Sequence, residues 1–176
     1  MAMRPGLRKL ALTAHVTSSV GWLGAVVAYL ALAVAGLTGQ DARMVRAAYF
    51  AMELTVWSVI VPLALASLLT GLLSSLGTPW GLFRHYWVLF KLLLNVFAVV
   101  ILLMYMQSIG YFADLAAGSA LSGADIAGLR HPTHVIHSGA ALLVLLVATV
   151  LAVYKPRGLT PYGWRKQKEQ RAVSPS

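Results

Sequence analysis

The chain has 176 residues, 59% of them apolar and 11% charged, with a formal net charge of +9 and no cysteine. Soluble domains run at about 45–50% apolar and ~25% charged, so a chain with this composition and a mean hydropathy of +0.76 has too little polar surface to face water on all sides. The missing cysteines exclude disulfides, thiolate metal sites, Cys-ligated iron–sulfur clusters and covalent c-type haem, leaving His, Met, Lys, Tyr or carboxylate to hold any metal or haem.

Four apolar stretches, at residues 10–37, 47–76, 86–109 and 138–154, fill most of the sequence. A helix needs about 20 residues to cross a hydrocarbon core of ~30 Å. The expected fold class is therefore all-α, an integral membrane four-helix bundle. One membrane domain occupies residues 1–156, and a basic tail follows at 157–176.

Helix one is expected over about 7–37, ended by Gly36 and Thr38-Gly39-Gln40. A cleavable signal peptide competes for this segment, since basic residues lead into an apolar run and Ala33-Val34-Ala35 resembles a cleavage site. The run is longer than the ~7–15 residues of a signal core, which favours a retained span. Helix two is expected over about 41–76, with Asp41 as N-cap. Pro62 lies in its middle; it lacks a backbone donor and crowds the Ser58 carbonyl, so a kink is expected.

Trp80, Tyr86 and Trp87 are placed for an interfacial aromatic belt. Helix three follows over about 82–110. Residues 111–130 form a connection in which 122–129, with Asp125 near the start, read as a short interfacial helix. Helix four runs over about 131–155, opening at His131-Pro132 and closing at Lys155-Pro156. The tail is expected to be mostly disordered.

Charge sets the expected orientation. Arg4, Arg8, Lys9, Arg84 and the cluster Lys155, Arg157, Arg165, Lys166, Lys168 and Arg171 fall on one side of four spans. The other side carries only Arg43, Arg46 and Arg130 beside Asp41, Asp114 and Asp125. The positive-inside rule puts both termini in the cytoplasm, the protein in the cytoplasmic membrane, and the basic tail against anionic lipid heads. The positive charge thus follows from topology and does not point to nucleic acid. Small residues would allow close helix contact, within one chain or in a homodimer: Ser18, Gly21, Gly24 and Ala25, then Ser67 and Gly71, then Ser138, Gly139 and Ala141.

Six residues inside the apolar stretches or at their edges are ones lipid should reject: His15, Glu53, Lys91, Asn95, His134 and His137. Intramembrane ionisable groups are candidate functional residues. Lys91 and Asn95 share a face of helix three at i and i+4. Lys91 is shallow enough to snorkel, or it turns inward as a ligand or partner. Asn95 is deeper and is expected to make an interhelical hydrogen bond. His15, with Trp22 on roughly the same side, is either a hydrogen-bonded packing residue or an axial ligand. At the other end His131, His134 and His137 recur every third residue. With Glu53 and Met44, Met52, Met104 and Met106 they suggest a copper site, Met suiting Cu(I). The plainer reading pairs Glu53 with His137 so that neither is buried alone.

The order of these signals resembles a known family. Helix one carries His15 and Trp22 followed by Leu23-Gly24-Ala25; helix two has Pro62 and Thr70-Gly71-Leu72; helix three has Trp87 and Lys91-Leu92-Leu93; helix four ends at Lys155-Pro156. The pattern, spanning about 10–156, is similar to the four-helix bacterial protoporphyrinogen oxidases and the related copper-resistance and copper-import membrane proteins. The resemblance implies His15 as a ligand of haem b and Lys91 as an essential lysine. Trp22 and Asn95 would stand beside them, in a redox role linked to quinone or another membrane electron carrier. The oxidases carry a Pro-Arg pair after the helix-one tryptophan. This chain has Ala28-Tyr29-Leu30-Ala31-Leu32 there, which removes an arginine suited to a porphyrin carboxylate. The leading expectation is a membrane haem-binding redox protein. His15 is one axial ligand, with Lys91, His85 or His137 opposite. The rivals are a copper-handling protein using Glu53, His134 and His137, and a scaffold without catalysis.

Overall fold

The computed structural model describes residues 4–77, 81–118 and 123–173. Trp80 and residue 122 lie outside them. The elements are α1 (Pro5–Thr38), α2 (Ala42–Thr55), a π-helical turn (Val56–Ile60), α3 (Val61–Leu76), α4 (Tyr86–Ala117), α5 (Gly123–Leu129), α6 (Thr133–Tyr154) and α7 (Pro161–Val173). Four helical rods are long and apolar enough to cross a membrane: α1, α2 to α3, α4, and α5 to α6. The protein is an all-helical membrane bundle whose rods pack in cyclic order, each against its two sequence neighbours and the last against the first.

The spans differ in length for a physical reason. At ~1.5 Å per residue α6 is about 33 Å long, close to the hydrocarbon thickness, while α1 is about 51 Å and must project beyond it. The outward faces are apolar, with Val16, Val20, Phe90, Leu93, Phe97, Leu143 and Val150 all exposed. The inside holds Trp22, Tyr29, Tyr49, Met52, Val56 and Ile60 beside small residues. An outside as apolar as the inside is what lipid requires, and it leaves helices without a marked amphipathic face.

Pro62 does not break the second rod. The turn before it widens to π geometry over Val56–Ile60, and the Val61 N–H donates to the Val56 carbonyl five residues back. A π turn re-pairs the backbone around the position where proline supplies no donor. The small residues pack within the chain: a Cβ added at Gly21 would lie 3.1 Å from Leu63, and one at Gly71 would lie 3.0 Å from the His15 ring. Gly24 and Gly139 face open space instead.

Three boundaries differ from the sequence reading. Helix three begins at Tyr86 rather than near 82, because residues 83–86 pair with the C-terminal segment. It then continues to Ala117, seven residues past Gly110, because Ala113 and Ala116 are buried. The tail, expected as disordered, carries α7. Helix α6 stops where Lys155 takes a left-handed conformation (φ 43°) just before Pro156. The chain then turns back. Gly158 O accepts from Tyr86 N–H at 3.3 Å, Thr160 N–H donates to Arg84 O at 3.0 Å, and the Thr160 hydroxyl donates to Phe83 O at 2.5 Å. Arg84 Nη2 donates to Gln170 Oε1 at 2.9 Å, holding α7 against the start of α4.

At the opposite end two arginines tie loops down. Arg46 Nη2 donates to Gly118 O, and Arg130 Nη2 donates to Gly39 O, each at 2.5 Å. Both acceptors are carbonyls just past a helix C-terminus, where cations are favoured.

Gly163 packs so closely that any Cβ would collide with the Arg84 carbonyl. Gly163→Leu is therefore expected to release α7 while leaving the four spans folded. Limited trypsin digestion followed by mass spectrometry should show cleavage after Lys166 and Lys168 accelerated several-fold over the parent protein.

Candidate functional site

Polar side chains gather at two levels of the bundle. The first lies toward the end carrying both termini. His15 Nδ1 is 3.0 Å from the Ser67 carbonyl oxygen. A carbonyl has no proton to give, so Nδ1 carries the N–H and donates, leaving Nε2 with its lone pair. Lys91 Nζ lies 3.2 Å from that Nε2 and donates to it. Three helices thus meet on one imidazole: α1 supplies it, α3 orients it, and α4 brings an amine to its free nitrogen.

Gly71 makes the approach possible, since a larger residue there would press on the ring carbon Cε1. The Ser67 hydroxyl, one position along the same face, pairs with Ser19 Oγ at 2.7 Å. Thr70 Oγ1 is 3.4 Å from Nδ1, but its proton goes to Ala66 O at 2.6 Å.

Lys91 turns inward rather than snorkelling. Counted from the α4 start it sits about 7–8 Å inside the boundary, a depth at which an inward ammonium is costly without a partner. Among the described residues Asn95 makes no hydrogen bond to another helix. Its amide nitrogen donates to Lys91 O at 3.0 Å, one turn back in its own helix, so it stiffens the turn carrying Lys91. Trp22 is buried, two turns along α1 from His15, and lines a cleft between α4 and α6. His85 is at the head of α4, bridged to Leu159 through the backbone.

The second level lies toward the other end. His134, 1% exposed, is met by aromatic residues from each of the other three rods. Tyr29 on α1 and Tyr105 on α4 each place a hydroxyl 3.0 Å from its Nδ1. Tyr49 on α2 packs edge-on to the imidazole at 5.4 Å, and its hydroxyl donates to the Leu129 carbonyl. Phe112 packs edge-on from α4 at 4.8 Å. Nε2 of His134 is buried without a hydrogen-bond partner among the described residues.

His137 is exposed. Its Nδ1 donates to Thr133 O at 2.8 Å in its own helix, and its ring stacks on Tyr105 at 4.1 Å. His131 accepts the Thr133 N–H at 3.3 Å, as a cap to α6.

The three histidines therefore have three separate duties. No group of three His, Asp or Glu side chains among the described residues is close enough to hold a metal ion. Glu53 and His137 make no ion pair; the pair found among the described residues is Lys166–Glu169 on α7, at 2.8 Å. Met52 and Met106 are buried in the core, while Met44 and Met104 are exposed.

The separation of the levels excludes one of the axial pairings expected from the sequence. Tyr29, beside His134, is about 21 Å along α1 from His15, so His137 is far too distant to share one iron with His15.

The residues missed in the sequence are Ser67 and Gly71, taken only as packing residues, and Tyr29, Tyr49 and Tyr105. One signal was available for Tyr29: His15, Trp22 and Tyr29 recur every seven residues, two helical turns apart, and so share the inner face of α1. No protein-family model, curated protein or solved structure matches this chain.

Removing the imidazole would leave the buried Tyr29 hydroxyl without a partner among the described residues, at about 1–3 kcal/mol, and would leave a cavity where the ring stood. His134→Ala is expected to lower the thermal midpoint in mild detergent clearly, whereas Tyr29→Phe, which leaves Tyr105 on Nδ1, should cost about 1 kcal/mol or less. Thermal unfolding of the two variants side by side checks the order.

Proposed function

We propose that this protein binds haem b in the membrane and serves in electron transfer, with His15 as one axial ligand and Lys91 as the other. The observation that supports the reading is the state of His15. Its Nδ1–H is anchored to a backbone carbonyl and its Nε2 lone pair is turned toward a second nitrogen donor. That anchoring is how ligating histidines are fixed in tautomer and orientation.

The donor set fits iron in a porphyrin: a neutral imidazole and an amine on a flexible stem, both within the membrane-spanning part of the bundle. In the present arrangement the two nitrogens touch each other directly, so ligation by both requires the Lys91 side chain to move aside. When bound, haem supplies one-electron redox chemistry, and the protein tunes it through ligand identity and burial.

The same reading places both termini in the cytoplasm and the protein in the cytoplasmic membrane, since Lys and Arg concentrate at the end carrying α7. A quinone or another membrane carrier is the proposed electron partner. Any enzymatic role would be that of a membrane oxidoreductase.

The test is an optical spectrum, oxidised and dithionite-reduced, of protein purified in mild detergent from haem-supplemented cells. A Soret band with reduced b-type α and β bands is expected. It should be lost in His15→Ala and shifted in Lys91→Met. A featureless spectrum from well-folded protein overturns the reading.

A further inference from the structure

Helices α4 and α6 touch at the loop end, where Tyr105 stacks on His137, and stand apart further down. The gap is a cleft of about 130 Å³, walled by Trp22, Tyr29, Ile60, Phe97, Ile101 and Ala141 among others. Phe97 is 60% exposed and Ile101 38%, so the mouth opens on the apolar outer face of the bundle, which is where lipid lies. Toward the loop end the cleft lining includes the phenol side chains of Tyr29 and Tyr105.

A proton count distinguishes this end from an ordinary packing contact. His134 Nδ1 has one in-plane position for a hydrogen bond, yet two phenol hydroxyls lie 3.0 Å from it. Tyr105 has a second acceptor, Thr133 Oγ1, at 3.4 Å. Tyr29, 4% exposed, has no other partner among the described residues. Whenever Tyr105 holds Nδ1, the Tyr29 hydroxyl has no acceptor among the described residues, and Tyr29 is one of the residues that wall the lipid-facing cleft. A buried donor left unmade costs about 1–3 kcal/mol, which an oxygen on a ligand would recover.

Size and lining narrow the ligand. A cavity of about 150 Å³ in a protein core holds one benzene ring. The walls present the rings of Trp22, Phe97, Tyr105 and His137, suited to offset or edge contacts with a flat ring. We propose that the cleft binds the head of a membrane-dissolved amphiphile. This head is one flat six-membered ring carrying a carbonyl-type oxygen, received by the Tyr29 hydroxyl, with an apolar tail leaving between α4 and α6 into lipid. The site is about 21 Å from His15 along α1 and does not depend on haem there.

The test uses the full chain in mild detergent. 4-Decylacetophenone, a one-ring aryl ketone, is the probe and decylbenzene the matched control without oxygen. Both are titrated by tryptophan fluorescence and by the shift in thermal midpoint. The ketone is expected to bind more tightly than decylbenzene. Tyr29→Phe should weaken it about 5-fold, the worth of one hydrogen bond of ~1 kcal/mol. Ala141→Phe, which fills the cleft with apolar volume, should abolish its binding; Ala98→Leu plugs the same space from α4 and serves if the first variant fails to fold.

Binding should persist in His15→Ala, so the cleft and the haem proposal can fail separately. Equal affinity for ketone and decylbenzene, with no effect of Tyr29→Phe, would mean that the cleft takes plain acyl chains and would overturn the proposal. So would undiminished binding in a folded plugged variant.

Discussion

One ring nitrogen holds the loop end of this bundle together. His134 Nδ1 lies 3.0 Å from the hydroxyls of Tyr29 on the first rod and Tyr105 on the third, while Tyr49 from the second packs on the same ring and reaches on to the Leu129 carbonyl. Between lipid-covered helices apolar burial gives little preference for one partner over another, because the tails outside are as apolar as the side chains inside. Polar pairing in a dry interior is what distinguishes the correct arrangement from a slipped one. A single imidazole touched by every other rod sets their relative heights at this end.

The terminal end uses the same physics with different groups. Ser67 O, His15 and Lys91 form a chain of donors and acceptors across α3, α1 and α4, and Gly71 provides the space for the imidazole. The chemical difference lies in what remains reactive. At His134 two phenols share one ring nitrogen, Tyr49 and Phe112 pack edge-on to the ring, and the far nitrogen is buried. At His15 the backbone fixes one nitrogen and the other faces the Lys91 amine on its long stem. The first arrangement specifies structure. The second leaves a lone pair and a flexible donor, the ingredients of a ligand site.

The cleft between α4 and α6 follows from holding the bundle at its two ends. His137 and Tyr105 stack at the top, and lower down small residues such as Ala98 and Ala141 leave space open toward lipid. The C-terminal helix obeys a separate constraint. Its Gly163 lies against the Arg84 carbonyl and its Thr160 caps the same strand of backbone, so α7 is fastened to the beginning of α4 rather than to the membrane-spanning core.

Span number, span order, the all-helical class and the short α5 were legible in the sequence, because apolar run length and the punctuation at Gly39, Gly77 and Pro132 are local properties. His15 and Lys91 stood out for the same reason: any ionisable residue in a long apolar run is conspicuous. The inner faces were not legible, since helices apolar on every side carry no periodic mark of which face is buried. Hence the tyrosines passed as ordinary span residues, Asn95 was assigned an interhelical bond it does not make, and His134 and His137 were grouped though one is enclosed and the other exposed. The α7 helix escaped notice because its stability comes from contacts with Arg84, some eighty residues away. Sequence alone determined that four helices would seek lipid, since that depends on composition summed along each segment. Which polar groups meet depends on how the rods rotate and settle against one another, and only the tertiary structure decided that.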